Sequence, residues 1–258
     1  MPALTEWSES HGYPFKYNTE VSIELADEAE LMDSMIRAGF RMVFVGIETP
    51  VEESLAECGK IQNRKRDLMG SVKKMQRRGF DVTGGFIVGF DNDRLDVFDR
   101  QLRFIQQSGI VIAMVGLLNA PHGTRLFKRL NSENRIIEAF HGDNVNTFMN
   151  FIPKMNRLTL VEGYRNLLRT IYSQRAYFER IKTFLAEYKL PPACSADVVK
   201  QRLLVFLRVV WKLGFIERGK TYFWKLLLHV IHNCPQKIGQ AIQMAIYGFH
   251  FRKVIAEL

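Results

Sequence analysis

Cysteine is scarce in this 258-residue chain: Cys58, Cys194 and Cys234 lie far apart and make no C-x-x-C pair. Such spacing supports neither a disulfide framework nor a thiolate metal site, and each cysteine reads as a small buried or half-buried side chain. Long apolar runs are missing too. The most apolar stretch, Leu203 to Trp211, is interrupted by Arg208 and falls short of the roughly 20 residues that a bilayer-crossing helix needs. Residues 1 to 11 are polar and acidic, so neither a secretory leader nor an Arg-rich transit peptide is expected, and the expected location is cytoplasmic. No tract is dominated by one residue type and no fixed-period repeat is present, which excludes collagen-like, low-complexity and solenoid architectures. With 47% apolar residues, a chain of this length buries a real core.

Acidic residues are scarce in one part only. Residues 1–150 carry 18 Lys and Arg against 21 Asp and Glu, a net −3, whereas residues 151–258 carry 18 against 6, a net +12. All of the excess positive charge belongs to the second part, which points to an anionic partner: a membrane surface, a nucleic acid or a phosphorylated substrate. No nucleic-acid motif accompanies the charge, so nucleic acid is not expected.

The first part alternates β-rich runs with helical patterns. Glu20 to Glu24 reads as a strand, and Asp27 with Glu30 has the form of a helix N-cap and its reciprocal carboxylate. Leu31 and Met35 then stripe a helix that Gly39 stops. Met42 to Ile47 is a continuous apolar run, the pattern of a strand covered on both faces. Leu68, Val72 and Met75 stripe the next helix, Gly79 closes it, and Val82 to Phe90 is the third strand. Leu95, Phe98, Leu102 and Ile105 stripe another helix before Gly109, and Ile110 to Leu118 is the fourth strand. Strands alternating with helices predict an α/β fold with a parallel sheet, whose ligands bind at the carboxyl ends of the strands. Past about residue 150 the β-rich runs stop. Leu158 to Tyr188, Asp197 to Gly214, Thr221 to His232 and Pro235 to Lys253 look helical, so the chain divides into 1–150 and a basic helical domain, 151–258.

The strand ends carry unusual residues. Gly46-Ile47-Glu48-Thr49-Pro50, followed by Glu53-Ser54-Leu55 and Gly59-Lys60-Ile61-Gln62-Asn63, resembles the fourth strand and loop of radical S-adenosylmethionine (SAM) proteins. Gly84 to Asp93 resembles the fifth strand, residues 20–40 the third strand and helix, and residues 116–130 the sixth strand with its proline-glycine-threonine turn. Gly142-Asp143-Asn144, Asn150 to Met155 and Gly163-Tyr164 extend the likeness into the tail. The chain is thus similar to cobalamin-binding radical SAM proteins with a C-terminal helical domain of unassigned function, a subgroup that includes hopanoid C-2 methylase-like enzymes. This resemblance implies a partial (β/α) barrel, strands three to six, followed by a mostly helical domain, and a cobalamin-dependent methyltransferase or related radical modification enzyme.

The same resemblance implies a SAM site made by Glu48, Gly85, Ile87, Gly89 and Asn119. Glu48 would accept hydrogen bonds from the ribose hydroxyls or the ammonium, Gly85 and Gly89 would let backbone approach the ligand, Ile87 would lie against the adenine, and Asn119 with the backbone of 117–119 would finish the adenine side. Other readings of these residues stand beside it: strand-end carboxylates also cap loops or form salt bridges, and the glycines also suit packing or a bulge. Ser22 and Glu24 alternate onto one strand face, and His122 is assigned no role. Asn92 stands where the family pattern has Glu.

The C-x-x-x-C-x-x-C motif that holds the family's [4Fe-4S] cluster and the cobalamin-binding D-x-H-x-x-G motif are both absent from this sequence. The cluster and cobalamin ligands are therefore expected outside this chain, in an N-terminal barrel segment and cobalamin domain on the same or a separate chain. This chain alone is expected to be inactive, with the first strand offering an unpaired edge for association. A non-catalytic remnant or interaction module that needs a partner chain is the alternative. The basic helices with Trp211, Phe215, Tyr222, Phe223 and Trp224 resemble membrane-surface elements, which implies a lipid-like substrate and a membrane-peripheral location; an ordinary helical core explains the same aromatics.

Overall fold

A computed structural model describes residues 1–138, 148–191 and 206–256. Helix α1 (Pro2–Ser10) leads into strand β1 (Tyr17–Val21), helix α2 (Ala29–Ala38) and strand β2 (Phe40–Glu48). After the short helix α3 (Glu52–Glu57) come helix α4 (Leu68–Arg78), strand β3 (Asp81–Val88), helix α5 (Val97–Ser108), strand β4 (Ala113–Leu117) and helix α6 (Arg125–Ser132). The four strands form one parallel sheet in the order β1-β2-β3-β4. This is the α/β arrangement the alternating pattern predicts.

The details depart from that pattern where polar side chains bond locally. The strand expected over Glu20–Glu24 ends at Val21, because the Ser22 hydroxyl takes the Glu24 N–H and starts a 3-10 turn, Ile23–Asp27, whose Ile23, Leu25 and Ala26 are buried. Ser22 and Glu24 therefore do not share a strand face; the Ser22 hydroxyl donates to Glu24 Oε2 at 2.9 Å. Asp27 closes that turn and pairs with Arg66 at 2.7 Å instead of capping α2, whose buried stripe is Met32, Met35 and Ile36 while Leu31 is exposed. Leu95 is likewise exposed ahead of α5, and β4 starts only at Ala113, where its ladder with β3 begins. Cys58 is exposed rather than buried, and Cys194 lies outside the described residues.

Helices α2, α4 and α5 end at Gly39, Gly79 and Gly109, each with positive φ. At Gly109 the φ of +72° is joined by a close approach: a Cβ there would sit 2.9 Å from the backbone nitrogen of Phe184, so any larger residue would push the helix that carries Phe184 away from the end of α5. One sheet face is sealed, with Val43, Val45, Ile47, Val82, Phe86 and Val88 all buried. The other face is open among the described residues. Phe44 and Ile87 are half-buried there and Met114 is 56% exposed.

The helical region comprises α7 (Arg157–Ile171), α8 (Gln174–Glu187), a helical stretch 206–211 running into a wide turn at Lys212–Ile216, α9 (Lys220–Asn233) and α10 (Ile238–Ala256). The continuous helix expected from Leu158 to Tyr188 breaks at Tyr172, where Ser173 caps α8. Residues 197–205 of another expected helix lie outside the described residues, as do Gly142-Asp143-Asn144. Tyr172 Oη donates to the Ala113 carbonyl at 3.0 Å and accepts from its N–H at 3.2 Å, which satisfies the start of β4. Arg180 is fully buried; it donates to Gln106 Oε1 at 2.6 Å and to the carbonyls of Ile171 and Val111, between the rings of Tyr172 and Tyr177. Among the described residues no helix is long and apolar enough to cross a membrane.

Candidate functional site

The C-terminal half of β2 is shaped by a register slip against β3 between Gly46 and Glu48. Glu48 takes up the extra length in the left-handed region, φ +64°, a conformation that costs a non-glycine residue of order 1 kcal/mol and gathers at functional sites. Its side chain folds back over the open face. Lys60 Nζ donates to Glu48 Oε1 at 2.7 Å, and both groups lie where a Cβ on Gly46 would be, 2.6 Å from Oε1 and 2.8 Å from Nζ. Asn63, almost fully buried, holds this loop by donating to the carbonyls of Gly46 and Ile47 at 3.0 Å each, and its Oδ1 has no partner among the described residues.

Across the sheet, Gly46 pairs with Gly85, and Ile87 pairs with Gly116. The open face near the strand ends is thus two paired glycines with side chains laid over them, the Glu48–Lys60 pair above Gly46, beside the apolar Ile87 and Met114. The Phe44 ring covers Gly85, 2.8 Å from where a Gly85 Cβ would sit.

The loop after β3 is built differently. Gly89 is buried with φ +109°, packed on Leu160, Met149 and Leu118, and its N–H donates to Asp93 Oδ2 at 2.8 Å. Asp93 also accepts from Phe90 N–H and from Ser54 Oγ, at 3.1 and 2.7 Å. Burial pushes the Asp93 carboxyl upward, and these three donors pull against it. Asp93, one residue after the position where the family pattern has Glu, thus clamps the turn. Asn92 instead bonds Glu57.

Asn119 follows β4, and its amide is engaged within the chain: Nδ2 donates to the Leu117 and Phe148 carbonyls at 3.3 Å each, and Oδ1 accepts from Asn150 N–H at 3.1 Å. Asn150 in turn exchanges two 2.8 Å bonds with the Ala120 backbone. The structure thus brings Glu48 to the Gly85 and Ile87 face, and places Gly89 and Asn119 in the neighbouring loops with their polar groups already bonded. Lys60, Asn63 and Asp93 join the site through contacts 12 to 39 residues apart in sequence, which periodicity does not reveal.

Beside the site, Asp91 accepts from Arg129 and Arg135, and Arg129 also reaches Glu57. Burial works against the charge on Asp91, but the two guanidinium groups outweigh it and hold the carboxyl at about 2, below the usual 3.8. A lowered folded pKa adds stability above pH 4 that is lost as pH falls from about 4 toward 2. Asp91→Asn is expected to cost about 2 kcal/mol at pH 7 and to flatten that acid limb, read from urea unfolding at pH 7 and pH 3.

No group of three His, Cys, Asp or Glu among the described residues is placed to hold a metal. Cys58 and Cys234 are single thiols, so these residues do not fit an iron–sulfur cluster. Glu48 and Lys60 together offer one charge of each sign at the strand ends, a donor set whose chemistry suits a zwitterionic ligand.

A parallel α/β sheet with a strained carboxylate and its lysine partner at the strand ends, followed by a basic helical tail, defines the class. The chain belongs to the family described as Domain of unknown function (DUF4070), whose model matches residues 124–258. It is 34% identical to an uncharacterized methyltransferase of Synechocystis sp. over 256 residues, 97% of this chain and 47% of that protein. It is 26% identical to the hopanoid C-2 methylase of Rhodopseudomonas palustris over 88% of this chain and 44% of that protein. The bacteriochlorophyllide d C-12(1)-methyltransferase of Chlorobaculum tepidum is 25% identical over 65% of this chain and 36% of its own length. The chain is therefore related to several methyltransferases and spans less than half the length of each.

Proposed function

We propose that this chain is the SAM-binding C-terminal part of a radical SAM methyltransferase that depends on cobalamin, with 1–150 as a partial barrel and 151–258 as a helical domain. The observation that carries the reading is the strained Glu48, paired with Lys60 over Gly46 at the strand ends, next to the Gly85 backbone that Phe44 covers. A SAM molecule supplies the methyl or adenosyl group; the chain's part is to bind and orient it. Its amino-acid end carries one ammonium and one carboxylate, which match Glu48 and Lys60 as charge partners. Ile87 offers an apolar contact to the adenine, and Gly85 leaves room for the ring once Phe44 moves aside. Asn119 reaches the adenine edge only by releasing the Phe148 or Asn150 backbone. The methyltransferase and methylase names of the relatives support the reaction class.

The half-exposed apolar side chains Phe44, Ile87 and Met114 support the further part of this reading. In it, barrel strands outside this chain cover that face and bring the [4Fe-4S] cluster and the cobalamin domain, on the same chain or a partner. Anaerobic reconstitution of this chain beside a version extended to the length of its relatives tests the proposal, with iron content and 5′-deoxyadenosine as readouts. The extended protein is expected to bind iron and form 5′-deoxyadenosine, and the short chain to do neither. Product from the short chain, or an extended protein without iron, overturns the reading.

A further inference from the structure

The segment leading into α9 presents an apolar stripe to solvent. Leu207, Trp211 and Phe215 recur at every fourth residue and are 54%, 63% and 54% exposed; Ile216 beside them is 63% exposed. Spacing of four puts them on one side of the helical stretch 206–211 and the turn that follows. Phe215 stacks edge-on against Trp224 with ring centroids 5.6 Å apart, and exposed Leu228 lies one turn beyond Trp224 on α9. The stripe therefore continues across two elements. An ordinary helical core, the other reading of these aromatics, accounts for Phe223, which is buried, and leaves Trp211 and Phe215 outside it.

A second stripe runs one residue further round. Arg208 and Lys212 are also four apart, and between them and α10 lies a groove of about 230 Å³ with an apolar floor of Val209, Leu213, Ile246 and Phe249. Arg208 and Lys212 line the groove, and Lys212 Nζ and Lys253 Nζ lie 4.9 Å and 4.7 Å from the centre of the Phe249 ring. Among the described residues none of Arg208, Lys212 and Lys253 forms an ion pair, in contrast to Arg129 and Arg135 on the sheet side. Apolar side chains in a row, an adjoining row of unneutralised bases and an apolar cleft between them and α10 together describe an element that lies in a bilayer interface. A polar protein partner leaves Trp211 and Phe215 unmatched, and a neutral apolar partner leaves the bases unmatched. An anionic lipid surface matches both.

We infer that Leu207, Trp211 and Phe215 with Arg208 and Lys212 form a docking surface for an anionic bilayer. The stripe enters the headgroup layer, the bases meet lipid phosphates, and the groove accommodates the upper part of an acyl chain. This inference stands on the helical region alone and is independent of the reading of the strand ends.

Co-sedimentation of the full chain with phosphatidylcholine vesicles, with and without phosphatidylglycerol, tests it. Binding is expected to the anionic vesicles and not to the neutral ones, and to weaken with added salt. Arg208→Gln and Lys212→Gln are each expected to weaken partitioning about fivefold, the factor for about 1 kcal/mol per basic residue near an anionic surface. Trp211→Ser is expected to weaken it about tenfold or more. Brominated lipids read the same contact in a way that does not depend on a disruptive variant: they are expected to quench the fluorescence of Trp7→Phe, and Trp211→Phe is expected to lose most of that quenching. Equal binding to both vesicle types, or quenching unaffected by Trp211→Phe, overturns the inference. So does a concentration-dependent dimer that Trp211→Ser dissolves in a chain that ignores vesicles, because the stripe then belongs to a second copy.

Discussion

Asp81→Asn is expected to stabilise the folded chain above pH 7 by up to about 4 kcal/mol, the equivalent of its shift in pKa. Asp81 opens β3, is buried, and has no hydrogen-bond partner on either carboxylate oxygen among the described residues. Burial raises its carboxyl from 3.8 to about 7, with Lys16 pulling weakly the other way. A carboxyl whose folded pKa lies above its unfolded value holds its proton more tightly in the native state, so stability falls as pH rises from about 4 to about 7. Above pH 7 the full penalty of an ionised, unpartnered carboxylate remains. Asparagine removes the charge and with it the slope. Chemical unfolding at pH 5 and pH 8 is the measurement: the native chain is expected to be less stable at pH 8, and the Asn variant nearly equal at both. Equal stability of the native chain at the two values would sink the prediction. Tyr188 and Tyr177, whose hydroxyls burial already holds above the usual range, are pushed further up by the same charge.

The second large effect concerns Glu48, and it separates strain from binding. Both Glu48→Ala and Glu48→Gly are expected to weaken SAM binding by about 100-fold in the protein extended to the length of its relatives, because a charge-assisted hydrogen bond contributes about 1.5–3 kcal/mol. Their stabilities are expected to diverge. Alanine keeps the left-handed strain at φ +64°, whereas glycine relieves it, so the Gly variant is expected to be the more stable by about 1 kcal/mol, the reverse of the usual order in a strand. The Lys60 pair is partly exposed and contributes little in either case. Equilibrium dialysis with radiolabelled SAM and thermal unfolding report the two effects separately. Unchanged affinity in both variants would remove Glu48 from the site, and a less stable Gly variant would remove the strain.

How much of this was legible in the sequence follows from where each signal resides. Glycine stops after α2, α4 and α5, and the apolar runs of β2 and β3, are local patterns, and they placed these elements within a few residues. Met42–Ile47 reads as covered on both faces, yet only alternate residues are buried, because the described chain supplies a cover for one face. The first strand was displaced because the Ser22 hydroxyl turns the chain, a competition that β-propensity does not register. At the site, Glu48 was legible as a carboxylate at a strand end. Lys60 and Asn63 stood inside a quoted motif, but their bonds to β2 depend on how the loop folds back. Asp81 and Arg180 were invisible, since residues of their types are ordinarily outside and only tertiary packing puts them in.

The glycines that end α2, α4 and α5 all sit at the rim of the sheet opposite Glu48, Asp93 and Asn119. The helix-ending turns therefore lie at the pole opposite the proposed SAM site. Substitution in the loops at one pole can alter the surface they present while the glycine turns at the other keep the spacing of helices and strands constant.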